Sequence, residues 1–224
     1  MKTIAAATLI LLLSSCANPI NLHTGNQYFQ GGLANVKEGK WFNARMAFGR
    51  AWTNADLGNA EDRVTAVYAY EYGRASGAIC DWREAERGLL KAYELDKKTN
   101  GPIHMSMVEL ARMYHAEGRL EKSQEWFALA KVELDRLQAD TRDSIGYANI
   151  LSEYAVVLSS VGKSEEAAAL NKREEEIRSV FKGRTSSHDQ TPYGQFCDQK
   201  SLTIKSSAPA NYAGRTRTNR APLI

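Results

Sequence analysis

A three-residue spacing recurs along this chain and dictates most of what it can become. A small residue is followed four positions later by a large apolar one, and three further on by alanine. Ala44, Phe48 and Ala51 fit, as do Ala85, Leu89 and Ala92, and Ser123, Phe127 and Ala130. Spacings of four and seven put all three on one helical face, with small side chains where another backbone must come close. Five residues before each small residue stands a turn position: Gly39, Cys80, Gly118 and, for a fourth copy starting at Ala167, Gly162. Twelve before it is Gly or Ala: Gly32, Gly73, Ala111 and Ala155. Three before it, in the first three copies, is Trp41, Trp82 or Leu120. The unit predicted is helix, tight turn, helix, with the paired small positions in contact.

The stretches "EGKWFNARMAFGRA", "CDWREAERGLLKAYELD" and "EGRLEKSQEWFALA" resemble the tetratricopeptide (TPR) repeat. The fourth copy, "VGKSEEAAALNKREEE", puts Asn171 and Glu174 where an apolar residue and alanine are expected. A polar outer helix is what a terminal repeat needs, since nothing packs beyond it. The resemblance covers residues 25–181 and implies an all-α fold, an α-solenoid of about four helical hairpins. The steps between copies, 41, 38 and 44 residues, exceed the family's roughly 34, so longer helices or loops must absorb the surplus. Eight helices and no strand are expected. Asp81 before Trp82, with Glu84 three later, reads as a capping box. Gly101-Pro102 reads as a break between repeats.

The N-terminal fifteen residues carry a different message. Lys2 precedes an apolar run from Ile4 to Leu13, about half the roughly 20 residues needed to cross a bilayer and within the range of a signal-peptide core. Leu13-Ser14-Ser15-Cys16 resembles the lipobox of bacterial lipoproteins, in which the cysteine receives a diacylglycerol and becomes the first residue of the mature chain. That resemblance implies a signal peptide over 1–15, lipidation and further acylation at Cys16, and a short linker over 16–24. An ordinary cleaved signal with an incidental cysteine is the alternative. Ala17, rather than aspartate, favours the outer membrane, facing the periplasm.

The formal charge of +3 hides a split. The repeat region is mildly acidic, whereas residues 182–224 carry 7 Lys+Arg against 2 Asp+Glu. This tail is rich in Ser, Thr, Gly, Pro and Arg, cannot bury enough apolar surface to offset its ordering entropy, and is expected to be mostly disordered. A periplasmic location argues against nucleic acid as its partner; anionic lipid, wall polymer or simple solubilisation fit better. With Cys16 lipidated, Cys80 and Cys197 remain in an oxidising compartment. They form one bridge that folds the tail back over the solenoid, with Tyr193 and Phe196 packing beside the link, or they are two unrelated thiols, or they pair with another chain.

No GxSxG elbow, Gly-rich phosphate loop, HExxH or CxxC is present, and no residue stands out as catalytic or metal-ligating. His104 and His115 would lie about 16 Å apart along one helix, too far to share a metal. The Glu165-Glu166 and Glu174-Glu175-Glu176 runs read as a solvated face. No cofactor is implied, and the expected class is a non-enzymatic adaptor binding a protein segment in the groove lined by the first helix of each repeat. The groove-facing offsets implied by the TPR resemblance give Phe29, Tyr70, Arg74, Val108, Arg112, His115, Asn149 and Ser152. Arg74 and Arg112 occupy equivalent positions, where they either hold a partner carboxylate or pair within the solenoid. The alternative function is an envelope tether or assembly pilot that uses the basic tail.

Overall fold

A computed structural model describes residues 18–186 and 190–199. Among them are α1 (Pro19–Lys37), α2 (Trp41–Leu57), α3 (Asp62–Ala78), α4 (Trp82–Thr99), α5 (Ile103–Glu117), α6 (Leu120–Arg136), the single turn α7 (Ala139–Arg142), α8 (Ser144–Ser160) and α9 (Ser164–Val180). Each long helix packs on the next, giving four antiparallel hairpins in chain order, α1/α2, α3/α4, α5/α6 and α8/α9, stacked as a solenoid. Residues 1–15, expected from the sequence to be a signal peptide, and Cys16 lie outside the described residues.

The turn positions predicted from spacing all take the left-handed conformation: Gly39, Cys80, Gly118 and Gly162 have φ between +63° and +85°. Cys80 is the departure, a side chain held where glycine is at ease. The three apolar triads are all buried, and so is Ala167. Close backbone approach is literal in the second hairpin, where a Cβ on Gly88 would sit 2.8 Å from the Gly73 Cα. In the third, Ser123 Oγ donates to the Ala111 carbonyl at 2.8 Å. The surplus repeat length goes into helices of 15–19 residues and into α7, which lies within the longest step. α9 exposes Asn171 and Glu175 on its outer face, as befits the end of the stack.

Three local expectations change. The capping box at α4 does not form: Asp81 accepts from Arg45 at 2.9 Å instead, and Glu84 accepts from the Tyr72 hydroxyl at 2.8 Å. Ion pairing across helices outcompetes the local cap. The linker expected before residue 25 is already helical from Pro19, because Asn18 accepts from the Ile20 and Asn21 amides and so opens α1. Within the tail, residues 190–199 are ordered against the solenoid. Composition underestimates them because their order comes from a covalent link and a few deep contacts rather than from apolar content.

Candidate partner-binding groove

The first helices of the hairpins, α1, α3, α5 and α8, form one face of the stack. On it, between α5 and α8, with Tyr70 of α3 at one side and the end of α6 and α7 at the other, opens a cavity of about 320 Å³. Val108, Leu134, Tyr147 and Ile150 give it an apolar floor, and Tyr70, Arg112 and Asn149 stand at its sides. Four of the predicted groove residues, Tyr70, Val108, Arg112 and Asn149, therefore meet around one hollow. His115 is exposed beside it, and half-buried Ser152 lies on the adjoining rim. Phe29 is not part of the groove. Its ring stacks on Tyr68 at 4.8 Å and leans on Phe48 at 5.7 Å, within the core shared by α1, α2 and α3.

The two arginines are not waiting for a partner's carboxylate. Arg74 pairs with Glu71 at 3.1 Å and lies 3.8 Å from Glu109. Arg112 pairs with Glu109 at 2.8 Å and binds Glu153 through two nitrogens, at 2.6 and 3.0 Å. The result is an alternating ladder, Glu71–Arg74–Glu109–Arg112–Glu153, that ties α3 to α5 and α5 to α8. Its carboxylates were visible in the sequence: each stands two residues before the small residue of its repeat, Gly73, Ala111 and Ala155. Burial alone would raise the Glu109 pKa, but Arg112 and Arg74, with the Thr191 and Tyr193 hydroxyls, hold it below the usual carboxylate range. Glu71, with one arginine, is pushed upward by burial. Burial also pushes the Tyr70 hydroxyl up, beside Glu109 and beneath the Arg74 guanidinium, 5.5 Å from its ring.

The tail completes the site. Cys80 and Cys197 are joined by a disulfide, with Cα atoms 5.1 Å apart, an ordinary separation for such a bond. From that link, residues 190–196 run across the groove as a strap. Thr191 Oγ1 takes a hydrogen bond from Arg74 at 2.7 Å and donates to Glu109 at 2.6 Å, and Tyr193 OH donates to Glu109 at 2.8 Å. Gln190 donates to Glu153 at 2.5 Å. The sequence places Tyr193 beside the link only on the reading in which the two cysteines pair, and Thr191 carries no signal there, since its partner Glu109 lies 82 residues away.

Among the described residues no group of three His, Cys, Asp or Glu could hold a metal ion, and no helix is long and apolar enough to cross a membrane. No family model and no curated protein matches the chain. Solved structures do. BtubC (BKLC) from P. vanneervenii is similar with a TM-score of 0.67 at 15% identity, over 74% of this chain and 67% of that one. A kinesin light chain-like protein of nearly identical TPR-like repeats from Podosopora anserina is similar at 0.57 and 20% identity, over 71% of this chain and 77% of that one. A point variant of that protein gives 0.58 over the same shares. At these identities the likeness speaks for the fold, and the fold is a TPR-like helical solenoid.

Proposed function

We propose that this protein is a lipid-anchored adaptor of the bacterial envelope that binds a protein segment in the hollow between α5 and α8. TPR-like solenoids generally serve as protein-interaction scaffolds and are typically not catalytic. The carrying observation is the hollow itself, an apolar floor walled by polar groups on the face such repeats use for binding. Because the arginines are saturated by internal carboxylates, affinity comes from an apolar anchor, about 1.5–3 kcal/mol for one fully buried side chain. Arg142 and Asn149 at the margin orient the backbone around it.

Lipidation at Cys16, followed by outer-membrane placement facing the periplasm, belongs to the same proposal. Its support is the lipobox-like tetrad and a disulfide that an oxidising compartment sustains. Asn18 caps α1 only two residues beyond Cys16, so an acylated Cys16 holds the first hairpin at the headgroups with almost no linker. The tether reading finds less support, because residues 190–199 of the basic tail are committed to the solenoid.

A photocrosslinking side chain at Ile150, on the cavity floor, is expected to capture a defined partner in intact envelopes. The same group at Val132, exposed on α6, is expected to capture none. Equal products from both positions, or none from Ile150, overturn the groove. Cys16→Ser is expected to move the protein into the soluble periplasmic fraction, and an intact mass with unmodified Cys16 in the wild type removes the anchor.

A further inference from the structure

Within the strap, Pro192 and Gln195 close a turn, the Gln195 amide donating to the Pro192 carbonyl at 3.3 Å, with Gly194 at φ +75° in the position where such a turn needs glycine. The turn aims the Tyr193 ring at Gly77 in the last turns of α3. A methyl group on Gly77 would overlap that ring. Glycine inside a helix is a poor choice on propensity, and here the ring supplies its reason. At the end of this slot the tyrosine hydroxyl meets buried Glu109. Around it the strap completes α3, with the Gly194 and Phe196 amides donating to the Gly77 and Ala78 carbonyls at 3.2 and 3.0 Å. These carbonyls belong to a helix C-terminus, where the Gly77 oxygen also accepts from the Cys80 amide at 3.1 Å, and any backbone laid there would reach them equally well.

So the slot is built for a particular group: an aromatic ring over a glycine, a hydroxyl donor to a carboxylate, and two amides for a helix end. Residues 190–197 present that group from within the chain, and one covalent bond holds them there. Of its two cysteines, Cys197 is exposed and Cys80 half-buried. Access of a thiolate to a sulfur decides how readily a disulfide exchanges.

We infer that the Gly77–Glu109 slot is a docking site for a tyrosine-bearing turn of a partner protein, occupied in cis by residues 190–197 until the Cys80–Cys197 bond is reduced. The inference rests on the reading of the first-helix face as the partner surface. A dithiol reductant supplies the two electrons and two protons: its thiolate attacks the disulfide, the S–S bond breaks, Cys80 and Cys197 leave as thiols, and the reductant becomes a disulfide. While the bond stands, the tethered tyrosine competes at an effective concentration on the order of millimolar or above, and a partner is excluded. Once it opens, the strap is held by a handful of hydrogen bonds and one ring, and a partner with the same turn replaces it.

The test uses the full chain and a labelled peptide, His-Asp-Gln-Thr-Pro-Tyr-Gly-Gln-Phe, copying residues 188–196. A Tyr193→Ala, Cys197→Ser chain keeps the slot and disables the strap, and is expected to bind the peptide saturably by fluorescence polarisation. The oxidised wild type is expected not to bind. Replacing the peptide's tyrosine by phenylalanine should weaken binding about tenfold, the loss of one hydrogen bond to a carboxylate. Adding Gly77→Ala, which suits the helix and fills the slot, should abolish it. In parallel, hydrogen exchange at the Gly194 and Phe196 amides of the wild type should accelerate at least about tenfold on reduction with dithiothreitol while the core stays protected. No binding by the folded strap-disabled chain, equal binding by the oxidised wild type, or unchanged exchange on reduction each overturns the inference. The Ile150 crosslink reads a different part of the face, so a partner captured there with no peptide binding here overturns this inference and leaves the adaptor reading in place.

Discussion

Ala85 shows how little room the repeat leaves at its paired small positions. It is fully buried, its carbonyl lies 3.0 Å from where a Cβ on Gly73 would stand, and its own Cβ lies 3.4 Å from one on Gly77. Ala85→Leu forces α3 and α4 apart and should cost about 1–3 kcal/mol in urea denaturation. Ala34→Leu, on the exposed side of α1, should cost almost nothing. Equal effects would mean the repeat register is misplaced. That register was legible residue by residue, because glycine at three of four turn positions announces a left-handed φ and alanine at fixed spacing announces close contact. Cys80 at the remaining turn left three readings open in the sequence, a bridge to Cys197, an unrelated thiol or a link to another chain, and the bridge is the one that forms. Its partner, Cys197, is remote in sequence.

At the level of elements, the Glu–Arg ladder decides how the first helices sit against one another. Glu109 on α5 is its centre, 3% exposed, facing Arg74 from α3, Arg112 on its own helix, and the Thr191 and Tyr193 hydroxyls of the strap. Glu109→Gln leaves two guanidinium groups short of a charge and should destabilise by about 3–5 kcal/mol at neutral pH. The folded-state pKa of Glu109 lies below its unfolded value of about 4.3. Its contribution is therefore complete above that value and disappears as pH falls through the lower, folded one. The stability gap between wild type and Glu109→Gln should be widest at neutral pH and narrow progressively as pH falls below about 4.3. A gap that does not change with pH would show that charge is not what Glu109 supplies. The arginines were legible as groove positions, yet their state was not, since the saturating carboxylates sit on neighbouring helices. The shared offset of Glu71, Glu109 and Glu153 was the available signal, and it pointed to internal pairing. Phe29 misled for a similar reason: first-helix offsets assume a neighbour on both sides, and the terminal helix α1 turns that position inward.

For the molecule as a whole, the strap changes what kind of object a solenoid is. Stacked repeats touch only their neighbours, so their stability is a sum of local terms and their ends open independently. Residues 190–199 contact every hairpin. Gln199 bonds the Phe42 amide and the Gly39 carbonyl at 3.1 Å in the first, and Phe196 lies 6.0 Å from the Trp41 ring. Gly77, Ala78 and Cys80 hold it in the second, Glu109 in the third and Glu153 in the fourth. The disulfide thus closes a ring across a sequence separation of 117 residues. On the chain-entropy account such a closure is worth about 4–5 kcal/mol, and commonly less when the unfolded chain keeps structure. For a chain of this size the full value corresponds to a fall in Tm of about 8–20 °C on reduction. The character of melting should change along with its midpoint. Oxidised, all four hairpins should lose hydrogen-exchange protection together; reduced, the first and last should open before the middle two, as in an unclasped array. An unchanged Tm, or an order of opening indifferent to the bond, would mean that the strap lies on the solenoid without holding it.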